Sequence, residues 1–200
     1  MCWSAEVSLN TYIIAIFGTG FALYNKIPLP FIIWLHLFSM MQLAEYFIWT
    51  NLKDPFYNTV FSSFGLTILV LEPIASMFLM KSSPLRSYLL ISYLLFLLLI
   101  LGIYYPWVPK TIVAKNGHLS WLWQHPKMPL FVNLIWAAFF ILPVFLSGYK
   151  RVALFSLLTL MITIYTYNKD GTWGSMWCWV ASFSWLILIG IFAMNKCYFI

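Results

Sequence analysis

The chain has 200 residues, of which 63% are hydrophobic, 20% aromatic and only 8% charged, whereas an ordinary soluble domain carries about 25% charge and about half apolar residues. Eleven Lys and Arg with five Asp and Glu cannot cover a water-soluble globule of this length, which excludes a cytosolic enzyme, a disordered tail and a secreted disulfide scaffold. The formal charge of +6 does not point to nucleic acid, because the basic residues stand singly or in pairs and form no phosphate-binding stripe.

A bilayer is the solvent that fits, and a helix needs about 20 mostly apolar residues to cross it. Charge-free runs occupy 7–25, 27–44, 55–71, 87–109, 128–149, 152–168 and 171–195, two of them continuing past a lone carboxylate, Glu45 or Glu72. They predict an all-α integral membrane protein, one domain over 1–200, with seven transmembrane helices near 8–25, 29–51, 57–80, 87–105, 128–149, 151–167 and 175–194.

Short polar breaks close most of these runs into helical hairpins: Asn25-Lys26-Ile27-Pro28, Lys53-Asp54-Pro55, Lys81-Ser82-Ser83-Pro84, Lys150-Arg151 and Asn168-Lys169-Asp170-Gly171. The connection from Pro106 to Lys127 is longer and carries Trp107, His118, Trp121, Trp123 and His125. It is expected as an interfacial loop or helix between spans four and five, with its second half at the membrane surface. The N-terminus has no basic leader or small-residue cleavage pattern, so no signal peptide is expected.

Seven spans put the termini on opposite sides. One side then holds Lys26, Lys81, Arg86, Lys150, Arg151 and Lys196 with no acidic partner, and the other Lys53, Lys110, Lys115, Lys127 and Lys169 beside Glu6, Asp54 and Asp170. The balance of Lys and Arg predicts an N-terminus outside or in a lumen and a cytoplasmic C-terminus.

Eight of the eleven tryptophans, Trp3, Trp49, Trp107, Trp121, Trp123, Trp173, Trp177 and Trp179, map to the N-terminal face, while Trp34, Trp136 and Trp185 lie elsewhere. An indole belt at the headgroups explains such placement. An aromatic-walled site open to that face, with Trp3, Trp177 and Trp179 among its walls, explains its one-sidedness. Cys2 and Cys178 fall near the same surface, where either a disulfide or two buried thiols fits.

Ionisable and polar groups inside spans are costly and are candidates for function. Glu45 lies in the outer half of the second span with Gln42 one turn before it, His36 lies deeper on that span, and Glu72 precedes Pro73 in the third. At 1.5 Å per residue, Glu45 sits roughly 12 Å from Glu72 along the membrane normal and His36 within about 2 Å of its level. A Glu45–Glu72 dyad is therefore disfavoured. A His36–Glu72 pair is geometrically allowed, either relaying protons or binding a cation, or only fixing helix packing. Pro73 also deprives the Leu69 carbonyl of its helical donor, so that oxygen requires another. Glu45 is expected to be protonated, hydrogen-bonded through Gln42, or reached by water from the tryptophan-rich face.

No span contains Lys or an Arg ladder, so neither a retinal Schiff base nor a voltage sensor is written here, and no cofactor is expected. His118 and His125 are seven apart, about 10 Å on a helix, too far for one zinc ion, and no hydrolase motif appears, so no metal site is expected.

Met1-Cys2-Trp3-Ser4 resembles the opening of a family of small polytopic membrane proteins found in bacteria, algae and large DNA viruses. Met41-Gln42-Leu43-Ala44-Glu45 is similar to that family's second span. Leu71-Glu72-Pro73 resembles its third-span element, with Glu where many members carry Gln. Ser120-Trp121, Leu142-Pro143 before Ser147-Gly148, and Gly171-Thr172-Trp173 running into Met176-Trp177-Cys178-Trp179 extend the likeness. It implies a seven-helix fold and no particular activity. The Cys-Trp opening is also superficially similar to the alkaline ceramidase superfamily, whose zinc needs three span histidines where this chain offers only His36.

These readings lead to a transporter- or channel-like protein in the lipid bilayer, binding or translocating a small molecule, lipid or cation through a cavity open to the tryptophan-rich face. Two other readings stand beside it: a non-catalytic structural component of a viral or organellar membrane, and a membrane-embedded lipid hydrolase. A homo-oligomer is compatible with each.

Overall fold

The computed structural model describes residues 4–103, 108–122 and 128–194. Within them the chain forms seven α-helices, α1 (Ala5–Tyr24), α2 (Leu29–Thr50), α3 (Pro55–Met77), α4 (Pro84–Ile103), α5 (Leu130–Leu146), α6 (Lys150–Tyr167) and α7 (Trp173–Met194). Each lies within a few residues of an expected span, because the polar breaks carry helix-ending chemistry. The Ser4 hydroxyl accepts from Val7 N and caps α1. Asp54 Oδ1 accepts from Phe56 N and Tyr57 N, with Pro55 in the first turn of α3. Gly148, at a φ of 93° that a side chain would disfavour, turns the chain from α5 into α6.

Six of these helices are long and apolar enough to cross a membrane, and α5, with 17 residues, is a shorter apolar helix. Helix α2 is the hub, packing against α1, α3 and α7. The circuit closes through α3 on α5, α5 on α6, α6 on α7 and α7 on α1. Helix α4 stands outside it, with only Tyr93 and Ile100 buried. At the centre an aromatic cluster replaces the aliphatic core of a soluble bundle. The Trp34 and Trp136 rings stack on Phe140 at 5.5 and 5.9 Å, and Trp177 meets Phe140 edge-on at 5.5 Å and Phe38 at 5.6 Å.

The connection between α4 and α5 departs from expectation. Its described part is not helical but an antiparallel β-hairpin, β1 (Thr111–Val113) and β2 (Leu119–Trp121), in which Thr111 pairs with Trp121 and Val113 with Leu119. The β-branched triplet Thr111-Ile112-Val113 favours a strand. The turn closes through Ala114 N to His118 O at 2.8 Å and Gly117 N to Ala114 O at 2.9 Å, with Gly117 at a φ of 79°. His118 therefore sits on a hairpin, and the helical spacing to His125 does not apply. His125 itself lies outside the described residues, as does the expected interfacial second half from 123 to 127.

Candidate functional site

The hairpin is fastened across one end of the bundle by polar side chains. From α3, Asn58 donates to Thr111 O at 2.9 Å and accepts from Thr111 N at 3.0 Å, acting as a further strand edge. Ser62 adds a hydroxyl contact to Thr111 Oγ1 at 2.8 Å. On the other flank Asn116 donates to Asp170 at 3.1 Å and to Thr172 at 2.9 Å, while the Ser120 hydroxyl donates to Gly171 O at 3.2 Å. The hairpin thus ties α3 to the α6–α7 junction, over the end of the bundle that the tryptophan count singled out.

On its inner side the hairpin's own Leu119 and Trp121 are buried in one apolar cluster with Met41, Ala44 and Ile48 of α2, Ile68 and Leu69 of α3, and Cys178 of α7. Glu45 stands on that same stripe of α2, four residues after Met41 and three before Ile48. Both Glu45 and Gln42 are at 0% exposure, and Gln42 Nε2 donates to Glu45 Oε2 at 3.4 Å. Each of the two residues also has a further interaction. A carboxyl group and an amide are therefore held together, out of solvent, under the hairpin. The one-turn Gln42–Glu45 relation expected from sequence is present.

A second polar locus forms around the Pro73 kink of α3. The Leu69 carbonyl, deprived of its helical donor, accepts from Trp136 Nε1 of α5 at 3.0 Å, and the next carbonyl, Val70 O, accepts from the Tyr93 hydroxyl of α4 at 2.9 Å. These bonds draw three helices to one point and explain why Tyr93 is the buried anchor of α4. Glu72 is here too, at 0% exposure and within electrostatic reach of Tyr93. Neither of its oxygens accepts a hydrogen bond among the described residues. A cavity of about 60 Å³ lies beside the kink, lined by Leu69, Val70, Asn133 and Trp136 among others.

The His36–Glu72 pair is not formed. His36 is half-buried against α1, its Nδ1 3.0 Å from the Thr19 hydroxyl and its ring 6.3 Å from that of Tyr12. Depth allowed the pair, but rotation about the helix axis decides it: His36 points to α1, whereas α3 lies on another side of α2.

The tryptophans divide as well. Trp121 and Trp177 are at 1% exposure, and Trp177 Nε1 donates to Thr159 Oγ1 of α6 at 3.3 Å, so these indoles belong to the core of the bundle. Trp49 and Trp179 are half-buried. Trp179 packs against Phe183 at 4.6 Å. Cys2, Trp3, Trp107 and Trp123 lie outside the described residues, and with Cys2 the pairing of Cys2 and Cys178; Cys178 itself is buried and not without a partner.

Sequence reasoning required a donor for Leu69 O but did not find Trp136, nor Tyr93, Asn58 or Thr111. The usable signal was chemical: a freed carbonyl inside an apolar bundle calls for an indole N–H or phenol at matching depth on a facing helix. Among the described residues no group of three or more His, Cys, Asp or Glu is placed to hold a metal ion. Compared with known proteins, the chain matches no family model, no curated protein and no solved structure.

Proposed function

We propose that the chain is a seven-span integral membrane protein that binds a proton or small cation at Glu45, beneath the β-hairpin, and passes it toward Glu72. The observation that carries this reading is the complete burial of Glu45 beside Gln42 on α2. Carboxylates are almost never fully buried without a partner, and inside a bilayer they mark ion or proton pathways. No Lys or Arg lies beyond the first turn of any described helix, so among the described residues no span cation is available to neutralise Glu72. A bare charge in such a place costs several kcal/mol, so charge on Glu72 arrives and leaves with a proton or a counter-ion.

In this reading the hairpin covers the outer approach, Glu45 and Gln42 form the first polar station, and the Glu72–Tyr93–Trp136 kink is the second, roughly 12 Å deeper. The hairpin face is outside or lumenal and the Lys150 face cytoplasmic. We also assign the chain to the Met-Cys-Trp-Ser family, whose second-span Gln and Glu correspond to Gln42 and Glu45.

The test is proton and alkali-cation flux into proteoliposomes under an imposed potential. Wild type is expected to conduct and Glu45→Gln to lose about tenfold or more, while Glu6→Gln, on the exposed first turn of α1, remains at the wild-type level. Wild-type flux equal to that of protein-free vesicles, or Glu45→Gln flux equal to wild type, overturns the reading; the former leaves the structural-component reading in its place.

A further inference from the structure

A groove of about 500 Å³ runs between α5 and α6, remote from the hairpin. Its floor is made by small or buried residues, Ala137, Ala153 and Leu160, and its walls by exposed leucines such as Leu142 and Leu154. Lys150 and Arg151 close one end. From Lys150 to Met161, the lining residue farthest along α6, eleven residues rise about 16 Å. One leaflet of a hydrocarbon core about 30 Å thick is about 15 Å deep. The groove therefore has the length of one leaflet, is apolar along that length, and is cationic at the end where a leaflet carries its headgroups.

Among the described residues no acidic side chain compensates these cations. All five acidic residues of the chain lie elsewhere: Glu6, Asp54 and Asp170 stand at the hairpin end of their helices, Glu45 lies beneath the hairpin, and Glu72 is buried in α3. Lys150 is steered to the groove mouth, its Nζ 5.7 Å from the centre of the Phe145 ring. Arg151 follows it with a guanidinium suited to two phosphate oxygens at once.

From this combination we propose that the α5–α6 groove binds one anionic glycerophospholipid, with an acyl chain along the groove and the phosphate held by Lys150 and Arg151. The proposal rests on the membrane reading but is independent of ion passage at Glu45. A zwitterionic lipid has the same chains but carries a choline cation beside the phosphate, so Lys150 and Arg151 discriminate against it.

The experiment is native mass spectrometry of the purified full chain titrated with dioleoyl phosphatidylglycerol or dioleoyl phosphatidylcholine. The anionic lipid is expected to be retained about tenfold more than the zwitterionic one. The double variant Lys150→Gln with Arg151→Gln should lose this preference. Ala138→Trp, at an exposed lining position, should exclude both lipids by filling the groove. Lys81→Gln with Arg86→Gln, which removes two cations at the same end of the bundle, should leave retention unchanged. Equal retention of the two lipids overturns the site, as does an equal loss in both double variants, which would mean general surface charge. Wild-type chain that resists carbonate extraction from membranes yet shows no lipid preference overturns this site while leaving the membrane reading standing.

Discussion

Pro73 removes one helical hydrogen bond, and Trp136 replaces it at Leu69 O from a helix 67 positions away in sequence. Leaving a buried carbonyl unpaired costs about 1–3 kcal/mol, so Trp136→Phe should destabilise the purified protein by that amount in thermal unfolding. In a Pro73→Ala background the residue-73 N–H returns to Leu69 O, and the same substitution should cost less. An equal loss in both backgrounds would show that Trp136 acts through packing alone. The need for a donor was legible, because proline chemistry is local; its identity was not, because helix rotation and neighbour choice are tertiary. His36 shows the same limit, being correctly levelled with Glu72 by rise per residue yet turned to Thr19 of α1.

Among the elements, the helices were readable to within a few residues because their ends are written in capping residues, prolines and charges. The hairpin was not. A tryptophan-rich stretch between spans reads as an interface segment, and only the triplet Thr111-Ile112-Val113 hinted at a strand. Its fastening depends on Asn58 and Asn116, whose partners are remote in sequence. His118 makes this element pH-dependent. Burial, reinforced by the positive charge of the amino terminus, holds its imidazole below the ordinary value of 6.5, against an opposing pull from the Asp170 carboxylate. As pH falls, an undocked hairpin takes up the proton first, so docking is fully stable above pH 6.5 and weakens below it. Amide hydrogen exchange over 111–121, corrected for intrinsic rates, should therefore speed up on acidification in wild type and stay flat in His118→Gln. Acidification that leaves wild-type protection unchanged would remove His118 from the coupling.

At the scale of the whole molecule, composition points to the bilayer and placement gives it polarity. Hairpin, buried Glu45 and most of the acidic residues gather at one end, and the other end carries Lys26, Lys81, Arg86, Lys150 and Arg151 without an Asp or Glu side chain. Helix count follows from charge spacing, whereas the burial of Trp121 and Trp177 in the core could not be read from their position near a span end. Both ion passage at Glu45 and lipid capture at the α5–α6 groove require these two ends to face opposite sides of a membrane. Labelling of the native lysines in sealed, uniformly oriented membranes with an impermeant amine reagent, mapped by mass spectrometry, tests this most directly. The account predicts that Lys53, Lys110, Lys115 and Lys169 are modified as one set, and Lys26, Lys81 and Lys150 only after permeabilisation, or the reverse. Modification of members of both sets together in sealed membranes would contradict it.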